Sequence, residues 1–261
     1  MIKTSTHDGI TTITLDRPET LNALTRELGE RALGALRDAA ASGAKAVVLT
    51  GSGRAFSAGA DLVGFSDLAA QGGEALAQGV GRDMQEALNP LTEAIADSPI
   101  PVISAVNGPC VGGGVGIALA ADVVLAARSA YFLIPQVAQL GIVPDLGATW
   151  ELPRRIGRAR ALGAALLGER IAAERAEAWG LVWKCVDDAA LMDEATAMAR
   201  QLARLPSAAV RATRTLIDAA PRTTLPAQLE QERLWQVEFL GSDFFRAAVA
   251  RFVAASSREG K

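Results

Sequence analysis

Two stretches of the chain offer bare backbone amides where a strand should end, and a nearby loop holds a lone acid. The first is Gly51 to Asp61, GSGRAFSAGAD, which closes on the small residues Ser57-Ala58-Gly59-Ala60. The second follows Asn107-Gly108 and contains three consecutive glycines, Gly112, Gly113 and Gly114, then Gly116. Each comes after a largely apolar run of strand length, Lys45 to Thr50 and Val102 to Val106. Adjacent glycines cost backbone entropy. Two gains offset that cost: close packing of a helix on a sheet, or approach of a ligand to open N–H groups at a helix N-terminus. If the two turns sit on neighbouring strands, two N–H donors converge on one point. That is an oxyanion hole, which stabilises a carbonyl oxygen as it gains negative charge. The acid is Asp145, in Val143-Pro144-Asp145-Leu146-Gly147. It reads either as the N-cap of the next helix or as a single general acid/base.

Other chemistries fit less well. Gly51-Ser52-Gly53 is not a dinucleotide fingerprint, because Phe56 stands where the third glycine belongs. No Gly-Lys-Ser/Thr follows either turn, which excludes a Walker P-loop. His7 is the one histidine and lies near the N-terminus, so a Ser-His-Asp triad is not expected and it reads as a surface residue. Ser57 has no evident base and reads as a packing residue. Cys110 reads as a small buried apolar residue. Arg154, Arg155, Arg158 and Arg160 read as a solvated helix face, with contact to a ligand phosphate as the alternative. No His, Cys or carboxylate spacing suggests a metal.

The elements that must position these residues follow from composition and pattern. The chain has 261 residues, half of them hydrophobic, enough for one large domain with an appendage. A net charge of −3 with no basic run argues against nucleic acid as a partner. Two cysteines far apart in sequence read as free thiols of a reducing compartment. The N-terminal MIKTSTHDGI has no apolar core of a signal peptide, and no apolar stretch reaches membrane-spanning length. A soluble cytoplasmic protein is expected.

Ile10 to Leu15 alternates as a half-buried strand. Thr25 to Ala41 follows as a helix with Leu28, Ala32, Ala35, Leu36 and Ala39 on one face. Phe65 to Val80 lacks clear periodicity and reads as a mobile loop or frayed helix, a candidate lid. A helix is expected over Arg82 to Asp97. Strands are expected at Asp122–Ala126, Tyr131–Ile134 and Leu181–Val186. Helices are expected after Gly147 up to the Pro153 region, over Arg158–Gly168 and over Ala172–Trp179. From Asp188 on the pattern is helical, with breaks at Pro206, Pro221 and Gly241.

The segments AFSAGADL, NGPCVGGG, GIVPDLGATWELPR and AEAWGLVWKCVDD together resemble the crotonase family, the enoyl-CoA hydratase/isomerase superfamily, over nearly the whole chain. That resemblance implies an α/β fold: a spiral of ββα units over residues 1–204 and a C-terminal helical trimerisation region over 205–261. It implies an acyl-CoA thioester as substrate, no cofactor beyond the CoA that the substrate carries, no metal, and a homotrimer or homohexamer. It makes the backbone N–H groups of Ala60 and Gly113 the two oxyanion donors. It places CoA along Ala23, Leu24, Ala58, Ala60, Asp61 and Leu62, with the thioester at Gly113.

The side chains depart from the hydratase pattern. A hydratase has one glutamate three residues after the central glycine and a second after a proline in the next loop. Here those positions are Gly116 and Gln136. The Phe132–Gly141 segment also runs one residue longer than the usual pattern. Asp145 remains, as in members resembling dienoyl-CoA isomerases, 4-chlorobenzoyl-CoA dehalogenase and the ring-epoxide isomerases of phenylacetate degradation. The run from Gly157 to Asp188 is most similar to the last of these, which makes a 1,2-epoxyphenylacetyl-CoA isomerase the expected activity. The competing expectations are a fatty acyl-CoA hydratase or double-bond isomerase, and a non-catalytic acyl-CoA binder.

Overall fold

The computed structural model describes residues 1–259, and it opens with a strand that the sequence pattern hides. β1 (Ile2–His7) pairs antiparallel with β2 (Ile10–Leu15), in register from Ile2↔Leu15 to His7↔Ile10. The turn between them is Asp8-Gly9, with φ of 53° and 76°. An Asp-Gly pair at positive φ matches the twist of a tight hairpin. β1 is an edge strand, so its polar residues stay in water and show no apolar alternation. His7 ends it, exposed.

Helix α1 (Arg26–Ala41) is capped by Thr25, whose hydroxyl accepts from the Leu28 N–H at 3.2 Å. Such a cap contributes about 1 kcal/mol. Leu28, Ala32, Leu36 and Ala39 are buried as the helical spacing predicts, and Ala35 is half-buried. β3 (Ala46–Gly51) follows, buried on both faces.

The Phe65–Val80 stretch is helical rather than a loop. It holds α2 (Ser66–Ala70) and α3 (Gly73–Asp83), and α3 runs through a π-type turn over Met84–Leu88 into α4 (Asn89–Ala96). Its glycines weaken the periodic signal, but Gly79 is there for packing: a methyl group on it would lie 2.8 Å from Leu68 Cδ1. The glycine lets α2 and α3 approach.

The centre of the chain then alternates between two sheets. β4 (Val102–Val106), β6 (Val123–Ala127) and β9 (Lys184–Val186) extend the first sheet in the order β1-β2-β3-β4-β6-β9, all parallel after β2. β5 (Cys110–Val111), β7 (Tyr131–Leu133) and β8 (Ile171–Ala172) form the second. Ser57, downstream of β3, bridges to Cys110 in β5. So β3, β4 and β6 each lead to a strand or bridge in the second sheet and then to helix. This is the ββα spiral in physical terms. Buried helix α5 (Gly113–Leu119) follows β5, and Cys110 is fully buried, which pushes its thiol pKa up.

After β7 comes a π-type turn, Gln136–Leu140, closed by the Gly141 N–H on the Gln136 carbonyl. A π-turn absorbs one residue more than an α-turn. Helix α6 (Ala148–Leu167) contains a break at Gly157 (φ 74°), and Pro153 sits inside its first part. Arg155 on that helix is not solvated: it pairs with Glu151 at 3.0 Å and donates to the carbonyls of Leu119 and Ala121 at the end of α5. Arg154, Arg158 and Arg160 are exposed. α7 (Ala173–Trp179) stops at Gly180 (φ 79°), and α8 (Leu191–Leu202) buries Leu191, Ala195 and Ala199.

The chain divides into two compact units, Met1–Ala203 and the segment from Arg204 onward. The second holds α9 (Ser207–Ala219), α10 (Leu225–Leu240) and α11 (Asp243–Glu259). Residues 260–261 of the expected helical region lie outside the described residues. Among the described residues, no helix is long and apolar enough to cross a membrane.

Candidate active site

The first glycine turn is held from behind by Asn22, which is fully buried. Its Nδ2 donates to the carbonyls of Ser52 and Ala55 at 2.9 and 2.8 Å, and its Oδ1 accepts from the Arg17 N–H at 2.8 Å. Ser57 Oγ donates to the Asn22 carbonyl at 2.9 Å and accepts from the Gly59 N–H at 3.2 Å. With both of its bonds used and no exposure, Ser57 is a packing residue. Along the turn, the amides of Ala58, Gly59 and Asp61 donate to Leu21 O, Ser57 Oγ and Leu24 O. Between them, the Ala60 N–H meets no acceptor among the described residues.

The second turn lies against the first, because β3 and β4 are parallel neighbours. A methyl group on Gly59 (φ 82°) would sit 2.8 Å from Val111 O and 3.5 Å from Gly112 Cα. The glycine is needed for both conformation and contact. Gly112 (φ 55°) donates to Leu133 O at 2.9 Å. Gly113, the first residue of α5, is at a position with no intrahelical acceptor, and its N–H meets none elsewhere among the described residues. Of the two gains that offset the three glycines, both are present: the helix is fully buried, and an open amide remains at its N-terminus.

Asp145 does not cap the next helix. The cap position is Gly147, with no side-chain bond, and the Ala148 N–H goes to the Asp145 backbone carbonyl at 2.9 Å. Leu146 and Gly147 follow at φ of 47° and 86°. A bulky residue in the left-handed region is strained, and here it turns the Asp145 side chain toward α5. A methyl group on Gly113 would lie 3.2 Å from Asp145 Oδ1. Oδ1 accepts from Gln136 Nε2 at 3.2 Å. Burial raises the Asp145 pKa, while the bonds from Gln136 and from its own backbone amide pull it down.

The same loop explains Gly116. A methyl group there would lie 2.0 Å from the Leu146 carbonyl oxygen and 2.7 Å from its carbon. The backbone that delivers Asp145 occupies the space a side chain at 116 would need. Gly116→Ala is therefore expected to destabilise the fold by at least about 1–3 kcal/mol, read by urea denaturation. Wild-type stability would show that the loop has room to move.

A cavity of about 620 Å³ joins these parts. Ala58, Ala60, Gly113, Asp145 and Gln136 line it, and Leu68, Val80, Met84, Leu88 and Ile142 form an apolar wall. Leu24, Asp61 and Leu62 also line it. Ala23 does not. It is buried, and its carbonyl accepts from Arg17 Nη1 at 2.8 Å. Arg17 also pairs with Asp61 at 3.1 Å. Sequence reasoning gave no role to Arg17, Asn22 or Leu146, and treated Gln136 only as a lost carboxylate. Asn22 directly precedes Ala23 and Leu24, and two consecutive positive φ values at Leu21 and Asn22 leave no pattern in residue types. Among the described residues no group of His, Cys, Asp and Glu is arranged to hold a metal ion.

The comparisons with known proteins agree with this geometry. Residues 5–257 match the family model described as Enoyl-CoA hydratase/isomerase. The chain is 43% identical over 248 residues to a "Probable enoyl-CoA hydratase" of Rhodobacter capsulatus, covering 94% of this chain and 92% of the relative. It is 40% identical over 250 residues to the "1,2-epoxyphenylacetyl-CoA isomerase" of Escherichia coli, covering 95% and 94%. A crystal structure of a "putative Enoyl-CoA hydratase/isomerase" from Mycobacterium abscessus superposes with a TM-score of 0.88 at 34% identity, over 98% of this chain and 97% of that one. The chain is thus an enzyme of the enoyl-CoA hydratase/isomerase family and carries the crotonase fold.

Proposed function

We propose that this enzyme is an acyl-CoA isomerase that works through a thioester enolate with Asp145 as its single acid/base, and that its substrate is 1,2-epoxyphenylacetyl-CoA. The observation that carries the reading is one carboxylate beside two open amides, with no space for a second at position 116. In this reading the thioester oxygen accepts from the Ala60 and Gly113 N–H groups. Asp145 takes a proton from the carbon next to the carbonyl, and the C–H electrons move into the enolate. The C–C bond between the two epoxide carbons breaks while both C–O bonds stay, so its electrons join the ring double bonds and the six-membered ring expands to seven. Asp145 returns the proton to a ring carbon conjugated with the enolate, which leaves a double bond between the acyl chain and the ring, so no atom is gained or lost. The raised pKa of Asp145 suits it to both halves of the transfer. CoA enters with the substrate along Leu24, Ala58, Asp61 and Leu62, and no other cofactor is required.

The 40% identity to the Escherichia coli isomerase supports the choice of acyl group. The 43% identity to the Rhodobacter protein favours a hydratase as the second reading. Against it, water addition in this family uses two carboxylates, and Gly116 and Gln136 supply none. A panel of enoyl-, dienoyl- and epoxyphenylacetyl-CoA separates the two by product mass. Conversion of the epoxide without mass change is expected. Gain of one water on an enoyl-CoA, with the epoxide untouched, would contradict the proposal.

Assembly and location belong to the same proposal. Helices α10 and α11 leave Leu225, Leu229, Val237, Phe244, Val249 and Phe252 exposed in the single chain. An apolar surface of that kind needs a partner, and a second and third copy supply it. Light scattering at micromolar concentration should give a trimer or a dimer of trimers, and a monomer would rule this out. A cytoplasmic location fits the two free cysteines.

A further inference from the structure

We propose that Gln136 is a positioning residue for Asp145: its side-chain amide holds one carboxylate oxygen and so aims the other at the reacting carbon. The proposal rests on the reading of Asp145 as the acid/base. Gln136 is 3% exposed, and its Nε2 donates to Asp145 Oδ1 at 3.2 Å. It begins the π-type turn, whose backbone bonds fix its Cα: the Gln136 carbonyl accepts from the Ile142 N–H at 3.1 Å. The amide lies against the second glycine turn, where a methyl group on Gly112 would be 3.5 Å from Nε2. Neither end of the side chain is free to swing.

The other amide atom carries the argument further. Gln136 Oε1 is buried with no hydrogen-bond partner. A buried orphan acceptor costs stability, and turning the amide over would not cure it while Asp145 is ionised, because two acceptor oxygens would then meet. The ionised carboxylate holds the amide in the costly orientation. Gln136 therefore keeps its donor on the carboxylate, and no ionic group is needed to hold it. The charged groups around the cavity are otherwise engaged: Arg17 with Asp61, Arg26 with Glu30, Asp83 and Glu86. Glu27 pairs with Arg31, and on α6 Glu151 pairs with Arg155. None of them shifts Asp145, whose pKa is set by burial first and then by Gln136 and its own amide.

Gln136→Met keeps length and removes both polar ends. It should lower kcat at least about tenfold, leave KM within about twofold, and move the acid limb of the kcat/KM profile to higher pH, because the bond it removes favours the carboxylate. The Asp145 carboxyl signal, followed by carbon NMR in the substrate-free protein, should titrate at higher pH than in wild type. Gln136→Glu is the conservative partner. A protonated Glu still donates to Asp145, so activity should persist at lower pH and fall along a new alkaline limb as both acids ionise. A purely structural side chain would move neither limb. Wild-type kcat with an unshifted Asp145 titration in Gln136→Met overturns the proposal. If that variant does not fold, a Gln136→Glu profile without a new alkaline limb overturns it. Full activity of Asp145→Asn together with a shifted titration in Gln136→Met would overturn the base assignment while the contact stands, so the two failures are distinguishable.

Discussion

Asp145→Asn should fold, bind acyl-CoA as wild type does, and turn over about 10²–10⁴-fold more slowly, the contribution of a positioned acid/base. Asn is nearly isosteric and can still meet Gln136, but an amide does not accept and return a proton. A capping role would forecast little change in rate, and the geometry already argues against it, because Gly147 holds the cap position without a side-chain bond. Two pH effects follow from the raised pKa of Asp145. The base form is required, so kcat/KM of the wild type should fall as pH drops through a value raised above that of an ordinary aspartate. For stability the sign is opposite. The folded protein holds this proton more tightly than the unfolded chain does. The full stabilisation is therefore present below the unfolded value and is lost as pH rises through the folded one. The neutral variant escapes that loss, so Asp145→Asn should match wild type in acid and equal or exceed it near neutrality. A marked drop in melting temperature at neutral pH would contradict this account.

Gly113→Val should be similarly damaging through a different group. A methyl group at Gly113 would already lie 2.7 Å from Leu146 Cδ1 and 3.2 Å from both Asp145 Oδ1 and Leu24 Cδ1. The branched side chain would push the amide away from the point it shares with Ala60 and displace the acid as well. Loss of one oxyanion donor costs about 10²–10³ in kcat, and the crowding of Asp145 adds to it. Affinity for free CoA, measured by calorimetry, should change little, because the residues proposed to face CoA lie on the first turn and beside Leu24. A folded Gly113→Val that keeps wild-type kcat would show that the oxyanion assignment is wrong.

The parts of this site that the sequence reveals are those with a local cause. Glycine runs after apolar strands, the periodic apolar face of α1 and a proline-bounded acid all act within a few residues of themselves. β1 follows a local rule too, since Asp8-Gly9 is a hairpin signal, but a polar edge strand lacks the alternation that would confirm it. What stays hidden depends on distant neighbours. Gly79 weakens the helical pattern of α3 until Leu68 is seen packed on it. Arg155 looks like one of a solvated cluster until the Leu119 and Ala121 carbonyls appear beside it. Gly116 reads as a missing glutamate, whereas the structure shows the Leu146 carbonyl in its place. Gln136 reads as a second missing glutamate, yet it is the hydrogen-bonding partner of the one acid that remains.

The most direct test of the central claim is exchange of solvent deuterium into the acyl chain, followed by NMR with a slowly reacting acyl-CoA. If Asp145 moves the proton through an enolate held by Ala60 and Gly113, the wild type should wash deuterium into the carbon next to the thioester. Asp145→Asn should bind the same compound and exchange nothing above background. Exchange at the wild-type rate in Asp145→Asn would contradict the claim and place the acid/base on another group.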